Sequence, residues 1–404
     1  MEARRTTTAR PRSRRLALGA AGLTLAVVTA LVGCTDASSS GPAASRSAVG
    51  PDQPVTSTPG PGPVAPTTGT GAVRVAPGAT PTDVVTGLDS PWSVVRLDSG
   101  SSFVSLRDSG RVVELTADGD VRDVAAVDGV AAEGEGGLLG LAVLAGSPSW
   151  LYAYATTADD NRVVRAAITG TPGSYGLGPQ EEVLTGIPKA RNHDGGRIAF
   201  GPDGMLYVTT GDANLGEEAR DPESLAGKIL RLSPKGQVPT DNPMPGSPVY
   251  TLGHRNPQGV AWDAWGSMWA AEFGQDTWDE LNAVSPGGDY GWPDVEGIQA
   301  SADTLSPVLQ WGTDEASPSG LAAVGSTLFL AGLGGERLFE IQVPDAGVAT
   351  ATQRFAGDAS LGRIRDVLPG PGSTLWLVTN NTDGRGEPRA GDDRIVSVPI
   401  TAVG

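Results

Sequence analysis

A turn followed by a compact apolar string recurs six times along the chain, and this repeat restricts the fold more than any other feature of the sequence. The first three copies are Asp98-Ser99-Gly100 before Phe103-Val104, Gly146-Ser147-Pro148 before Leu151-Tyr152-Ala153, and Pro202-Asp203-Gly204 before Met205-Leu206-Tyr207-Val208. Then come Ala264-Trp265-Gly266 before Met268-Trp269-Ala270, Gly325-Ser326 before Leu328-Phe329-Leu330, and Gly372-Ser373 before Leu375-Trp376-Leu377-Val378. The strings lie roughly 47 to 63 residues apart, the length of one four-stranded propeller blade with a variable loop. A blade cannot bury both of its faces alone, so neighbouring blades must supply the core. The repeat predicts an all-β fold, a six-bladed β-propeller over residues 81–404. A β-sandwich or a pair of all-β domains would also space strands regularly, but neither explains a unit sustained over the whole region.

The N-terminus reads differently. Six arginines and one acid fall in the first fifteen residues, and an apolar run from Leu16 to Gly33 follows and ends at Cys34. A basic stretch, an apolar stretch and small residues at the end form an export signal over 1–33. The run approaches the length of a membrane span, which stands as the rival reading. Leu31-Val32-Gly33-Cys34 looks like a bacterial lipobox, which would make Cys34, the sole cysteine, the lipidation site and the mature N-terminus. Ser13-Arg14-Arg15-Leu16-Ala17-Leu18 resembles a twin-arginine signal over a short stretch, leaving the export route open. From 34 to about 80 Ser, Pro, Thr, Gly and Ala dominate, a composition that buries too little surface to fold and serves as a flexible tether. Cleavage before Cys34 removes six arginines and one glutamate, taking the formal charge from −17 to about −22. Such a surface repels phosphate backbones and excludes nucleic acid as a partner. Membrane attachment then depends on the N-terminal lipid anchor.

The longest irregular stretches, Arg191 to Asp221, Ser233 to Gly259 and Phe273 to Gly297, mix His, Arg, Asn, Asp, Trp and Gly, as a shaped polar cavity on one propeller face requires. Two histidines exist, His193 and His254. His193 stands in Arg191-Asn192-His193-Asp194-Gly195-Gly196 just before an apolar strand, where an imidazole can serve as a general base if a carboxylate orients it. Asp212, at the end of the Leu206-Tyr207-Val208 string, is a candidate orienting group, although an ordinary turn aspartate would read the same. Arg255 and Asn256 in Gly253-His254-Arg255-Asn256-Pro257 offer a fixed charge and an amide for a developing anion, or else a plain surface turn. The acids and amides of 272–282 suit calcium's preference for hard oxygen, and solvated acids explain them equally.

Taken together these segments resemble the soluble quinoprotein glucose and sorbosone dehydrogenase family, especially bacterial aldose sugar dehydrogenases. Glu135-Gly136-Gly137-Leu138-Leu139-Gly140, the His193 segment, Gly211-Asp212, Ser224-Leu225-Ala226-Gly227-Lys228, the Arg255 segment, Tyr290-Gly291-Trp292-Pro293 and Gly362-Arg363-Ile364-Arg365-Asp366 occur in the family's order. The resemblance implies a six-bladed propeller that binds pyrroloquinoline quinone (PQQ) and calcium (Ca2+) and oxidises aldoses at C1 to lactones, passing electrons to an unidentified acceptor. It implies that His193 is the base, that Asp212 orients it, that Arg255 and Asn256 contact the cofactor, and that Arg363 and Arg365 neutralise its carboxylates. Glu135 would meet the quinone, and the carbonyls of Gly274 and Gln275 would hold calcium. The sequence departs from the family where a cofactor-contacting lysine is common: glycine stands there, at Gly334, and a positive partner is lost unless Arg337 reaches back. Glu217 or Arg220 takes the place of a glutamine. A calcium-dependent propeller hydrolase and a non-enzymatic glycan- or protein-binding module are the competing functional readings.

Overall fold

In the computed structural model, residues 70–299, 303–344 and 348–403 are described. The export signal, Cys34 and the tether up to residue 69 lie outside them. Among the described residues the regular structure is β-strand with two short 3-10 turns, Gly216–Arg220 and Gly357–Ala359, and no helix is long and apolar enough to cross a membrane.

The strands form six antiparallel sheets. Blade 1 is built from Pro91–Arg96, Ser102–Leu106, Arg111–Leu115 and Val121–Ala126, in sheet order and chain order alike. Blade 2 follows with Leu138–Leu144, Trp150–Thr156, Asn161–Thr169 and Gly176–Ile187, and blade 3 with Ile198–Phe200, Leu206–Thr210, Lys228–Leu232 and Val249–Thr251. Blade 4 uses Pro257–Trp262, Met268–Glu272, Trp278–Val284 and Leu309–Gly312, and blade 5 Pro318–Val324, Thr327–Gly332, Arg337–Gln342 and Thr350–Arg354. Blade 6 contains Ile364–Pro369, Thr374–Thr379 and Ile395–Ala402. Its outer place is shared by Thr82–Val85, with Thr82 opposite Ser397, and by a strand from nearer the N-terminus: Val73–Val75 pairs antiparallel with Ile395–Ala402, Val73 opposite Ala402 and Val75 opposite Ile400. This strand precedes the domain start expected at residue 81. By sharing one sheet, the N- and C-terminal segments close the ring.

Each repeat recognised in the sequence is the hairpin from the first to the second strand of a blade, with its apolar string falling in the second strand. The first strands pack on one another around the axis. Between successive blades lie six apolar clusters, one for each junction of the ring. Phe103 and Val112 meet Leu138, Leu151 and Val164 between blades 1 and 2. Tyr152 and Tyr154 meet Ile198, Leu206 and Leu230 between blades 2 and 3, and Phe329 and Leu338 meet Ile364, Leu375 and Val396 between blades 5 and 6. Truncating one such buried aromatic to alanine costs about 3–5 kcal/mol, because a blade face cannot collapse without its neighbour. The core therefore lies between blades, leaving the ends of the first strands free to carry polar groups. Strand four to strand one crossovers and strand two to strand three hairpins emerge at the same end, and there the candidate residues gather.

Candidate functional site

His193 lies on the crossover from blade 2 to blade 3 in a left-handed conformation, φ 63°. Tight packing of this loop on the end of Leu206–Thr210 enforces that backbone. A Cβ on Gly211 would fall 1.8 Å from the carbonyl oxygen of His193, so only glycine fits there. Glu135 Oε2 accepts from the backbone N–H of His193 at 3.2 Å, and Ala213 N–H donates to its carbonyl, also at 3.2 Å. With its main chain fixed on both sides, the ring places Nδ1 2.8 Å from Asp212 Oδ1. The carboxylate accepts from Nδ1–H, which leaves Nε2 as the lone-pair nitrogen on the opposite edge of the ring.

Asp212 is buried, and burial pulls its carboxyl upward. The hydrogen bond and charge of His193, the Asn214 N–H and the Trp292 indole together outweigh burial and hold it below the ordinary aspartate value. Its own N–H donates to the carbonyl of Arg255 at 2.7 Å, which joins this loop to the crossover from blade 3 to blade 4. On that crossover Asn256 Oδ1 accepts from Gly195 N–H at 3.0 Å. Arg255 Nη1 donates to the carbonyls of Phe273 and Gly274, while its Nε is buried without a partner. Burial depresses its pKa, and Asp212, Glu296, Glu272 and Glu135 push it back up.

The segment expected to ligate metal, Gly274 and Gln275, curls around two carboxylates. Asp279 Oδ1 accepts from Gly274 N–H at 2.9 Å, and Glu296 Oε1 accepts from Gln275 N–H. Among the described residues no group of three or more His, Cys, Asp or Glu side chains is arranged to hold a metal ion. Hard-oxygen ligation here would fall to main-chain carbonyls, and at Gly274 a cation would compete with Arg255.

Arg363 and Arg365 flank the start of the first strand of blade 6. Arg365 Nη1 donates to Gln258 Oε1 at 2.8 Å and Ser319 Oγ at 3.2 Å, and its Nε to Asn380 Oδ1 at 3.2 Å. Its pKa is pulled down to about 9, first by burial and then by repulsion from Arg107 and Arg363. Arg363 Nη2 pairs with Asp383 at 3.4 Å, while Arg363 Nε and Asn380 Nδ2 are buried donors without partners. Like charges drawn together with idle donors fit an anion, whose charge would relieve the repulsion. Glu135 closes the other side, with Oε1 3.3 Å from Arg385.

A cavity of about 670 Å3 opens beside Asp212 and the Gln275 loop, lined by Asp212, Asn214, Gln275, Trp278, Trp292 and Glu296 among others. Three groups have roles that sequence reasoning did not assign. Trp292, noted only as part of a motif, donates Nε1–H to Asp212 Oδ2 at 2.8 Å. Glu296 and Asp279 shape the Gly274 loop; Asp279 stood in the acid run of 272–282 without this role, and no local signal marks Glu296. Of the proposed substitutes, Arg337 donates to Gly335 O and Gln353 Oε1 within its own blade, and Arg220 pairs with Asp289 and Asp294. Beside Gly334 stands the Ser317 hydroxyl, 2.5 Å from where a Cβ would sit.

Comparison with known proteins agrees with this geometry. The profile of the Glucose / Sorbosone dehydrogenase family matches residues 88–387. An aldose sugar dehydrogenase of Escherichia coli is 30% identical over 301 residues, 65% of this chain and 79% of that protein. The PQQ-bound aldose sugar dehydrogenase of Streptomyces coelicolor superposes with a TM-score of 0.76 at 46% identity, covering 82% of this chain and 98% of that one. A putative glucose dehydrogenase of Thermus thermophilus gives 0.72 at 39% identity, covering 80% and 100%. A profile match over most of the propeller, with whole-domain likeness to such enzymes, establishes that the chain is an oxidoreductase belonging to the glucose/sorbosone dehydrogenase family.

Proposed function

We propose that the protein oxidises aldose sugars at C1 to the lactone, using PQQ and calcium, while tethered to the outer face of the cell membrane through a lipid on Cys34. The observation that carries this reading is the His193–Asp212 pair at 2.8 Å, with Asp212 lining the cavity and buried guanidinium groups with unpartnered donors elsewhere in the same loop array. Three features fit PQQ, a planar polyanion: the convergence of Arg107, Arg363 and Arg365, the idle Nε of Arg255 and Arg363, and the idle amide of Asn380. When bound, the quinone supplies the sink for a hydride from C1, and calcium polarises it as a Lewis acid.

The chain's own residues do the rest. Nε2 of His193 takes the proton of the C1 hydroxyl, and Asp212 keeps Nδ1 protonated and stabilises the imidazolium that forms. Arg255 places a fixed positive charge, made stronger by burial, where negative charge develops. Asn256 and Glu135 hold the His193 loop from either side, through Gly195 N–H and His193 N–H. Arg363 and Arg365 neutralise carboxylates. The carbonyls of Gly274 and Gln275 would hold the cation, with Arg255 turning away from Gly274. The sequence of residues 31–34 supports the anchor, and the composition of residues 34–69 supports a tether that holds the propeller off the membrane.

Titration of the apo protein with PQQ, with and without calcium, followed by a panel of reducing sugars and an artificial acceptor, tests the proposal. Turnover that needs both additions is the expected result. Turnover with calcium alone points to a hydrolase, and failure to bind the quinone removes the redox reading.

A further inference from the structure

One indole in the site touches both of its opposite charges. Asp212 Oδ1 is taken by His193 Nδ1 and Asn214 N–H, each at 2.8 Å, and Oδ2 is taken by Trp292 Nε1–H at 2.8 Å. The face of the same ring lies against the Arg255 guanidinium, its central carbon 5.5 Å from the ring centroid. Asp212 is the carboxylate that acts most strongly on Arg255, and Arg255 Nε is buried and idle. Yet among the described residues no ion pair joins the two. A buried guanidinium beside an open carboxylate oxygen would close a charge-assisted hydrogen bond, roughly twice as strong as a neutral one. Neutral Trp292 already fills that oxygen.

We propose that Trp292 is a positioning residue that keeps Asp212 committed to His193 and Arg255 committed to the Gly274 carbonyl, by placing an uncharged N–H on the carboxylate oxygen that the guanidinium would otherwise capture. The inference rests on the reading of His193 as the base and adds the element that prevents its partner from being lost. A cation on Oδ2 would draw the carboxylate off the imidazole and make the imidazolium less favourable. The same bond would pull Arg255 from the Gly274 carbonyl. A tryptophan suits this position because its donor is single, fixed in the ring plane and never charged, while the ring face holds the guanidinium at a distance.

The test uses proton NMR of the full chain without sugar or quinone, read at the hydrogen-bonded Nδ1–H of each imidazole. With only two histidines in the sequence, His254 is the internal control. In Trp292→Phe the His193 signal should broaden or shift while that of His254 stays. In Trp292→Phe with Arg255→Met the His193 signal should return, because the competing cation is gone. Steady-state kinetics of loaded Trp292→Phe should show kcat lower by at least about tenfold with little change in the sugar KM. An unchanged His193 signal in Trp292→Phe, or one that stays lost in the double variant, overturns the proposal. If Trp292→Phe does not fold, Trp292→Gln keeps an uncharged N–H donor and should keep the His193 signal; its loss there overturns the proposal equally. Because the signal needs neither substrate nor cofactor, it fails independently of the base assignment, which His193→Gln tests.

Discussion

The two histidines of this chain make the same bond and live in opposite surroundings. In each, Nδ1 lies 2.8 Å from a buried carboxylate, Asp212 for His193 and Glu272 for His254. The difference is at the other nitrogen. His254 is fully buried, its Nε2 is 2.8 Å from Thr251 Oγ1, and its ring stacks on Tyr290 with centroids 4.6 Å apart. His193 keeps part of its side chain exposed beside the cavity and carries its ring on a left-handed backbone that Gly211 makes room for. A histidine with both nitrogens spent can only hold structure. One with a carboxylate behind it and an open nitrogen in front can move a proton. The closed pair still serves the open one, since Glu272 also accepts from the backbone N–H of Arg255.

The sharpest way to break this comparison is to remove each imidazole in turn. His193→Gln should lower kcat by about 10²–10⁴-fold, the usual contribution of a positioned general base, with a melting temperature lowered far less than by His254→Ala. Steady-state turnover of the PQQ- and calcium-loaded protein measures the first and thermal unfolding the second. His254→Ala should do the reverse. It leaves Glu272 and Thr251 buried without this partner and should cost about 2–4 kcal/mol in chemical denaturation, from buried polar groups left unsatisfied at about 1–3 kcal/mol each. Its kcat per folded molecule should change far less than that of His193→Gln.

Sequence alone made one half of this contrast legible. The paired glycines after His193 mark a loop that must turn tightly, and His254 has no such neighbours. That Glu272 reaches His254 depends on the pairing of Pro257–Trp262 with Met268–Glu272 within blade 4, which no local pattern encodes. The fold was readable for the same reason: a blade repeats, so its first hairpin announces itself six times. Val73–Val75 escaped notice because three residues among glycines and threonines carry no period, and their place is fixed only by the distant strand Ile395–Ala402. Trp292 was visible in Tyr290-Gly291-Trp292-Pro293 without a role, because its partner Asp212 stands 80 residues away in the sequence.

Acid should act in opposite directions on two carboxylates, Asp212 beside His193 and Glu280 in blade 4. Around His193, Asp212 titrates below its ordinary value, so its stabilising effect is complete above the unfolded pKa near 4 and is lost as pH falls through the folded value. In blade 4, Glu280 is pushed up to about 7, first by burial and then by the charge of Glu272. Between its ordinary 4.5 and about 7 the folded protein holds a proton that the unfolded chain releases, so stability falls as pH rises through that window. Glu280→Gln should make this limb of a melting-temperature profile shallower, chiefly above pH 6, because Asp194 and Asp279 are each also pushed up to about 6 by burial, and it should leave the Asp212 limb below pH 4 intact. A limb unchanged above pH 6, or a changed limb below pH 4, would show that Glu280 and Asp212 do not titrate as separate groups.

The smallest expected effect tests whether the Thr251 bond is what closes the second nitrogen. Thr251→Val keeps shape and volume while deleting the hydroxyl that faces His254 Nε2 at 2.8 Å. Thr251 is fully buried at the end of a blade 3 strand, so water does not replace the lost partner easily. The cost should be about 1–2 kcal/mol, near the lower range for a buried polar atom left unsatisfied. Turnover should stay at the wild-type level, because an imidazole freed at Nε2 but sealed beneath Tyr290 still has no substrate within reach. If Thr251→Val instead lowered kcat as much as stability, the closed histidine would be acting through Glu272 on Arg255. The division between a pair that holds and a pair that reacts would then have to be redrawn as a single coupled network.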